Sequence, residues 1–572
     1  MKKVSVIALS ILMFLLVFSV GFSFTLVPLS QTFPQVPNAK YGGTIYLGTQ
    51  AGPITQSMNP FTSSTNSGFE LATIYESLFY VNSLNGNVTP LLGTSYKWSD
   101  NDLELTVTTR DNVKWSDGTP FTANDVAFTF NYIKKYPALD TTGIWSSISG
   151  LQSVEASGTN VVIFKFSQPN VPLFYYIAGV PIVPEHIWST IDNPVNYQDQ
   201  NPVGTGPFIF DSYSSALNSL TFVKNPNYWM QGRPFIDKVV AQSFIGGNVP
   251  NLLSMLKGQT QFSNMFIPDV ESAWIGKNPD TNKIYWPVVS VNALYFNTQK
   301  YPFNNATFRK AISLAIDKVS LEQKAYFGTG GYNENQTGII PSQQSEWLDP
   351  TLTSLASSVN SYNPQEAQQL LASIGFVKNS SGQLVGPDGE VLPTYKILVG
   401  AGWTDFISMA EMISSDLKQL GISSVVDQEA PATYMSSIMS GTYDLAISWG
   451  TGSGPTPYYY YYQEFSPVFS ANKIGEMAAS DWTRYTNPLI TAALQVYAGT
   501  NDPTLQKQAM YTIERIVLEE LPLIVLTNRT NFEDFYTKDF AGWPSMSNPY
   551  NAGENTNSQG GGIVLRNIYL KP

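Results

Sequence analysis

The sequence predicts an α/β fold divided into lobes, and three observations predict it. Strand-like and helix-like hydrophobic periods are mixed along the whole chain. At 572 residues the chain is too long for one hydrophobic core. Its apolar fraction of 43% is ordinary for a globular protein.

The elements follow in order. Thr44–Thr49 (TIYLGT) reads as a strand. Leu103–Thr109 and Val161–Phe166 alternate apolar and polar residues, as half-buried strands do. Thr122–Tyr136 opens on Thr-Ala-Asn-Asp, a helix start, and continues as a helix. Asn305–Lys318 is amphipathic, with Phe308, Ala311, Ile312, Ala315 and Ile316 at helical spacing. Phe406–Leu420 repeats that spacing and stops at Gly421, a suitable residue just past a helix end. Ile422–Val426 is β-prone, and Thr442–Trp449 is a further strand. Gln506–Leu518 is a helix closed by Pro522. There is no internal repeat and no long low-complexity segment.

The N-terminus carries an export pattern. Lys2 and Lys3 precede an apolar run from Val4 to about Val27. Ser19, Gly21 and Ser23 offer cleavage positions, and the run is also long enough to stay as a membrane anchor. Residues 28–40, rich in Pro, Ser, Thr and Gln, read as a linker. No later segment reads as a membrane span. The expectation is a periplasmic or extracellular domain, either free or anchored through residues 1–27.

Charge narrows the function. The net charge of -12 argues against nucleic acid, which needs a basic face, and against anionic lipid. With no cysteine there is no disulfide, thiolate metal site or Cys nucleophile, and His186 is the only histidine. No cofactor and no metal is expected. Charged residues make up only 13% of the chain, about half the usual share. Such sparse charge suits an exterior at low pH, where carboxylates lose their charge.

The most informative stretch is Trp449–Tyr462, WGTGSGPTPYYYYY. No charged residue stands between Asp444 and Glu464. Buried phenols need hydrogen-bond partners, so a plain core element has little use for five of them. Either they pack a strand or helix end, or some face a polar ligand. Gly328–Gly331 is a turn without the Lys-Ser/Thr of a phosphate loop, so nucleotide binding is rejected.

The ordered motifs resemble one family. RDNVKWSDGTPFTANDVAFTF at 110–130 is the most specific. GGT at 42–44, MNPF at 58–61, VPEHIW at 183–188, PVGTGPF at 202–208 and NPNYWMQGRPFID at 225–237 accompany it. PFNNATFRKAISLAIDK at 302–318 and LEELPLIVL at 518–526 follow. Together they resemble the family 5 solute-binding proteins of ABC importers, the oligopeptide-, dipeptide- and nickel-binding type. The resemblance implies a type II periplasmic-binding-protein-like fold with three lobes, no catalysis, and a permease as partner. It divides the chain into lobe I (41–75, 203–288 and 535–572), lobe II (76–202) and lobe III (289–534). Trp98, Trp115, Trp229 and His186 fall in its scaffold motifs and read as structural. A monomer is expected.

The resemblance also places the loop after Trp449 at the ligand. Peptide-binding members usually carry an aspartate there for the peptide's α-ammonium, since a buried cation must be compensated. Here the loop is GTGSGPTP, residues 450–457, without an acid. A sugar needs aromatic faces and neutral polar groups instead. The segment FAGWPSMSNPYN at 540–551 is similar to that of members binding cello- and manno-oligosaccharides. The expected ligand is therefore an oligosaccharide, plausibly a β-linked di- to tetrasaccharide, with an oligopeptide as the alternative. The expected site is Gln50, Asn59, Trp403, Trp449, Thr451, Ser453, Tyr458, Tyr459, Trp543 and Asn548. Of the five tyrosines, Tyr458 and Tyr459 are expected to face the ligand. An exported glycosidase needs two facing carboxylates, and the aromatic segments contain no acidic pair.

Overall fold

A computed structural model describes residues 24–50, 53–62, 68–243, 247–553 and 559–572, without the side chains of residues 49, 50 and 68–70. Three large sheets organise it. The first has seven strands, in the order Asn282–Tyr285, Glu533–Tyr536, Phe262–Ser263, Thr44–Gln50, Lys238–Ser243, Ser219–Lys224 and Phe208–Ser214. Thr44–Gln50 runs parallel to both its neighbours, and the remaining pairs are antiparallel. The second has five strands, in the order Ser424–Glu429, Tyr395–Gly400, Leu445–Trp449, Val288–Phe296 and Leu523–Thr530. The third is an antiparallel four-stranded sheet, Gly93–Trp98, Glu104–Thr109, Val161–Phe166 and Leu151–Ala156. The regions around these three sheets are called lobes I, III and II below.

Burial explains the elements. Along Glu104–Thr109 every second side chain is buried, as period-2 alternation requires of a sheet covered on one face. Leu523–Thr530 is buried almost throughout, because helices and neighbouring segments cover both of its faces. Ala123–Lys135 starts in a capping box: Thr122 caps the first turn while the Asp125 carboxylate accepts the Thr122 backbone N–H. Thr404–Gln419 buries Phe406, Met409, Ala410, Ile413 and Leu417, the stripe expected from spacing. The expected helix Asn305–Lys318 is present as Ala306–Ala315, capped by Asn305, and a second helix, Lys318–Ala325, starts where Asp317 accepts the Ser320 N–H.

Where lobes I and II cross, the backbones nearly touch. A Cβ on Gly204 would stand 2.0 Å from the Ile74 carbonyl oxygen, and one on Gly206 2.4 Å from that of Thr73. Only glycine fits both positions.

The N-terminal segment differs from expectation. The apolar run up to residue 23 lies outside the described residues, and no described helix is long and apolar enough to cross a membrane. Residues 24–36, however, are docked rather than free. Thr25–Leu26 pairs in parallel with Asn87–Val88, and Val27 and Phe33 are buried. The Tyr96 hydroxyl donates to the Phe24 carbonyl at 2.8 Å, and the Asn567 amide to the Thr32 carbonyl at 3.0 Å. Apolar residues set among the polar ones make this a strap instead of a tether. Phe33→Ala is expected to lower unfolding free energy by about 3 kcal/mol, the usual loss for a buried Phe. Urea titration measures it, and an unchanged midpoint would show that the strap adds nothing to stability.

Candidate functional site

Lobes I and III are joined by two crossing strands. The chain passes once between Tyr285 and Val288 and again between Thr530 and Glu533, and the Asn531 N–H donates to the Pro287 carbonyl at 3.0 Å. Beside this crossing the lobes meet. The Asn248 amide donates to the Thr404 hydroxyl at 3.0 Å.

Trp403 stands at that meeting point and Trp449 ends the adjoining strand. Both are half-buried, and their rings lie 5.7 Å apart. The Arg529 guanidinium stands 5.4 Å from the centre of the Trp449 ring and donates to the Asn292 side-chain oxygen at 3.3 Å. Asp405 lies just past Trp403, and burial pushes its carboxyl up to about 6 although Arg529 opposes the shift. Two half-buried indoles and a guanidinium thus stand side by side, groups of the kind that bind by aromatic faces and N–H donors.

The loop 450–457 extends from Trp449. The Ser290 hydroxyl donates to the Gly450 carbonyl at 2.8 Å, and Gly450 N–H to the Val291 carbonyl at 2.7 Å. Gly452 has φ +76°, and a Cβ there would stand 2.3 Å from the Tyr459 carbonyl oxygen. Thr451 is nearly buried and Ser453 half-buried. The Thr451 N–H and hydroxyl both donate to the Glu464 carboxyl, at 2.5 and 2.8 Å. Glu464 lies outside the loop in sequence, yet the helix Pro457–Phe465 brings it back underneath.

That helix holds all five tyrosines, and all five are buried. Tyr458, 3% exposed, stacks on Tyr497 at 4.6 Å. Tyr459, 1% exposed, meets Tyr175 at 4.6 Å and donates to the Pro172 carbonyl at 3.4 Å. Tyr462 meets Tyr176 at 5.9 Å. The expectation that Tyr458 and Tyr459 face a cleft is corrected: they pack a seam between lobes III and II. A helix wedged between two lobes leaves only Gln463 half-exposed.

The other expected residues divide. Asn59 is fully buried, and its amide group serves the Pro194 and Tyr197 carbonyls and the Phe61 N–H, leaving nothing for a ligand. Trp543 stacks on Phe535 at 4.5 Å and braces the C-terminal segment, its N–H donating to the Phe540 carbonyl. Asn548 is exposed at the turn closed by Ser545. Gln50 ends its strand, and its side chain lies outside the described residues. The structure thus brings Trp403 and Trp449 together, while Thr451 is buried with its hydroxyl on Glu464 and Ser453 is half-buried in the loop. Sequence reasoning missed Arg529, Asn292 and Asp405, which stand in or beside apolar runs and carry no local signal.

The profile of the bacterial extracellular solute-binding proteins, family 5, matches residues 87–472, more than half of the chain. The chain belongs to this family. As a family 5 protein it is the solute-binding receptor of an ABC importer and not an enzyme. It is 23% identical over 493 residues to the peptide transport periplasmic protein SapA of Salmonella typhimurium, covering 81% of this chain and 83% of SapA. It is 25% identical over 456 residues to the probable D,D-dipeptide-binding periplasmic protein DdpA of Escherichia coli, covering 79% and 81%. Among solved structures it resembles the mannohexaose-bound periplasmic oligopeptide-binding protein of Thermotoga maritima, with a TM-score of 0.82 and 25% identity. That match covers 94% of this chain and 100% of the other. The nonapeptide complex of AppA from Bacillus subtilis shares the fold, with a TM-score of 0.77 and 20% identity over 94% and 100% of the chains.

Proposed function

We propose that this receptor binds a neutral oligosaccharide in the cleft between lobes I and III and hands it to a membrane permease. The observation that carries this reading is the Trp403–Trp449 pair beside a loop, 450–457, that contains no carboxylate. Sugar C–H faces stack on indoles, and hydroxyls accept from Arg529 or exchange hydrogen bonds with Ser453 and the loop backbone. Among the described residues the one carboxyl hydrogen-bonded to the loop, Glu464, is wholly buried and offers no partner for an α-ammonium. The Thermotoga relative whose structure contains mannohexaose supports the same ligand class. Lobe closure about residues 286–288 and 530–532 encloses the ligand, driven by contacts made only in the closed form. Periplasmic or extracellular placement follows from the relatives' names and the N-terminal export pattern.

A second reading, an oligopeptide ligand, is favoured by the names of SapA and DdpA and by the half-buried Arg529, which suits a peptide carboxylate. Counted by relatives it is the better supported of the two. A thermal-shift screen of cello-, manno- and xylo-oligosaccharides against a defined peptide pool separates them. Stabilisation by sugars alone is the expected result, and stabilisation by peptides alone overturns it. With whichever oligomer binds, Trp449→Ala is expected to weaken affinity at least about 30-fold by calorimetry, as loss of a central indole does. Unchanged affinity would remove Trp449 from the site.

A further inference from the structure

We infer that a small cavity behind the loop 450–457 is a subsite for one neutral hydroxyl of the ligand, received by the Tyr460 phenol. The inference rests on the reading that this loop faces a neutral oligosaccharide.

The cavity lies between the loop, the start of the strand Val288–Phe296 and the segment around Gly338 and Gln343. It is partly open, and about 10 Å³ of it can hold the centre of a water molecule, room for one water-sized group. Two hydrogen bonds tie the loop to the facing segments and keep the space between them. The Ser290 hydroxyl donates to the Gly450 carbonyl at 2.8 Å, and the Gln343 amide to the Gly454 carbonyl at 2.9 Å. Tyr460 forms the back. Its ring is clamped between Gly450 and Gly338, where added Cβ atoms would stand 2.9 and 2.2 Å from it. The residue is 6% exposed, and its hydroxyl is buried without a hydrogen-bond partner.

An unpartnered buried hydroxyl is costly, and this one can both donate and accept. Beside it the Thr456 hydroxyl accepts from the Tyr497 hydroxyl at 3.0 Å, which leaves its own hydrogen for a further oxygen. No charged residue lines the cavity, so neither an ammonium nor a carboxylate is compensated there. A hydroxyl fits both the size and the polarity. The place fits as well. Ser290 and Arg529 are direct partners across antiparallel strands, so their side chains share one face of the sheet. Arg529 stands against the Trp449 ring, which puts the cavity and the expected stacking surface on that same face.

Calorimetry and crystal structures with mannohexaose and cellotetraose test this. In the free protein one water is expected on the Tyr460 hydroxyl, and in the complex a sugar hydroxyl is expected in its place. Tyr460→Phe removes only that oxygen. Without ligand its unfolding temperature is expected to stay within about 1 °C of the wild type, since no partner is lost, while affinity falls about tenfold. Unchanged affinity, with the water still in place in the complex, overturns the subsite and leaves the oligosaccharide reading standing. A large loss of stability in the ligand-free variant would make Tyr460 a structural residue and also overturns it. If neither sugar binds the wild type, the subsite falls together with the reading it rests on.

Discussion

Raising the pH from about 4.5 to about 8 is expected to lower the unfolding temperature by about 3–6 °C. The reason is the interior. Burial pushes Asp199 and Asp405 up to about 6, Asp481 up to about 7, and Glu464 and Glu514 up to about 8. None of these five forms an ion pair among the described residues. Each binds its proton more tightly folded than unfolded, where the ordinary values are 3.8 and 4.5. Their contribution is therefore fully present below about pH 4 and is lost as pH rises through 6 to 8. A tenfold gain in proton affinity corresponds to about 1.4 kcal/mol, so even a partial response from each group sums to several kcal/mol. Thermal melts across this range measure it. A midpoint that is highest near neutrality would show that these carboxyls gain partners the fold does not display. The sparse surface charge and the acid-holding interior point the same way.

Arg566→Met is expected to destabilise the protein by about 3–5 kcal/mol, the usual result of leaving a buried charge without its partner. Arg566 and Glu76 are both fully buried, 2.7 Å apart. Tyr228 and Trp229 also donate to Glu76, at 2.9 and 2.8 Å, and Arg566 Nε donates to the Tyr228 hydroxyl at 2.7 Å. The C-terminal helix Gly560–Asn567 is thus fastened to residue 76, where the chain passes from lobe I towards lobe II. Adding Glu76→Met to Arg566→Met is expected to recover part of the loss, because no charge then remains buried. Urea denaturation of the two variants decides it. A double variant no more stable than the single one would place the loss in packing instead of charge.

Regular periods made much of the fold legible. The stripe of Phe406, Met409, Ile413 and Leu417 is written in the spacing, and the helix follows. The end of the helix Ala306–Ala315 is not legible, since the apolar spacing continues through Ile316 while the Asp317 cap acts on the residues after it. The tyrosine run has no period, so its geometry depends on what meets it. Its partners Pro172, Tyr175, Tyr176 and Tyr497 stand far away in the chain. For the same reason the sequence suggested an aromatic wall but could not reveal Arg529 beside Trp449 or Glu464 beneath Thr451. Those contacts arise from strand order and from the return of a helix, not from local spacing.

The strand Glu533–Tyr536 sits inside the seven-stranded sheet, between Asn282–Tyr285 and Phe262–Ser263. All of lobe III lies between it and the neighbours it joins. That sheet therefore cannot be completed until residue 536 has been synthesised. Such pairing between distant segments is slow, because the loop must close before its contacts form. Glu533–Tyr536 is also the last strand of that sheet in the chain, so the second passage from lobe III back to lobe I is fixed only when that late pairing forms.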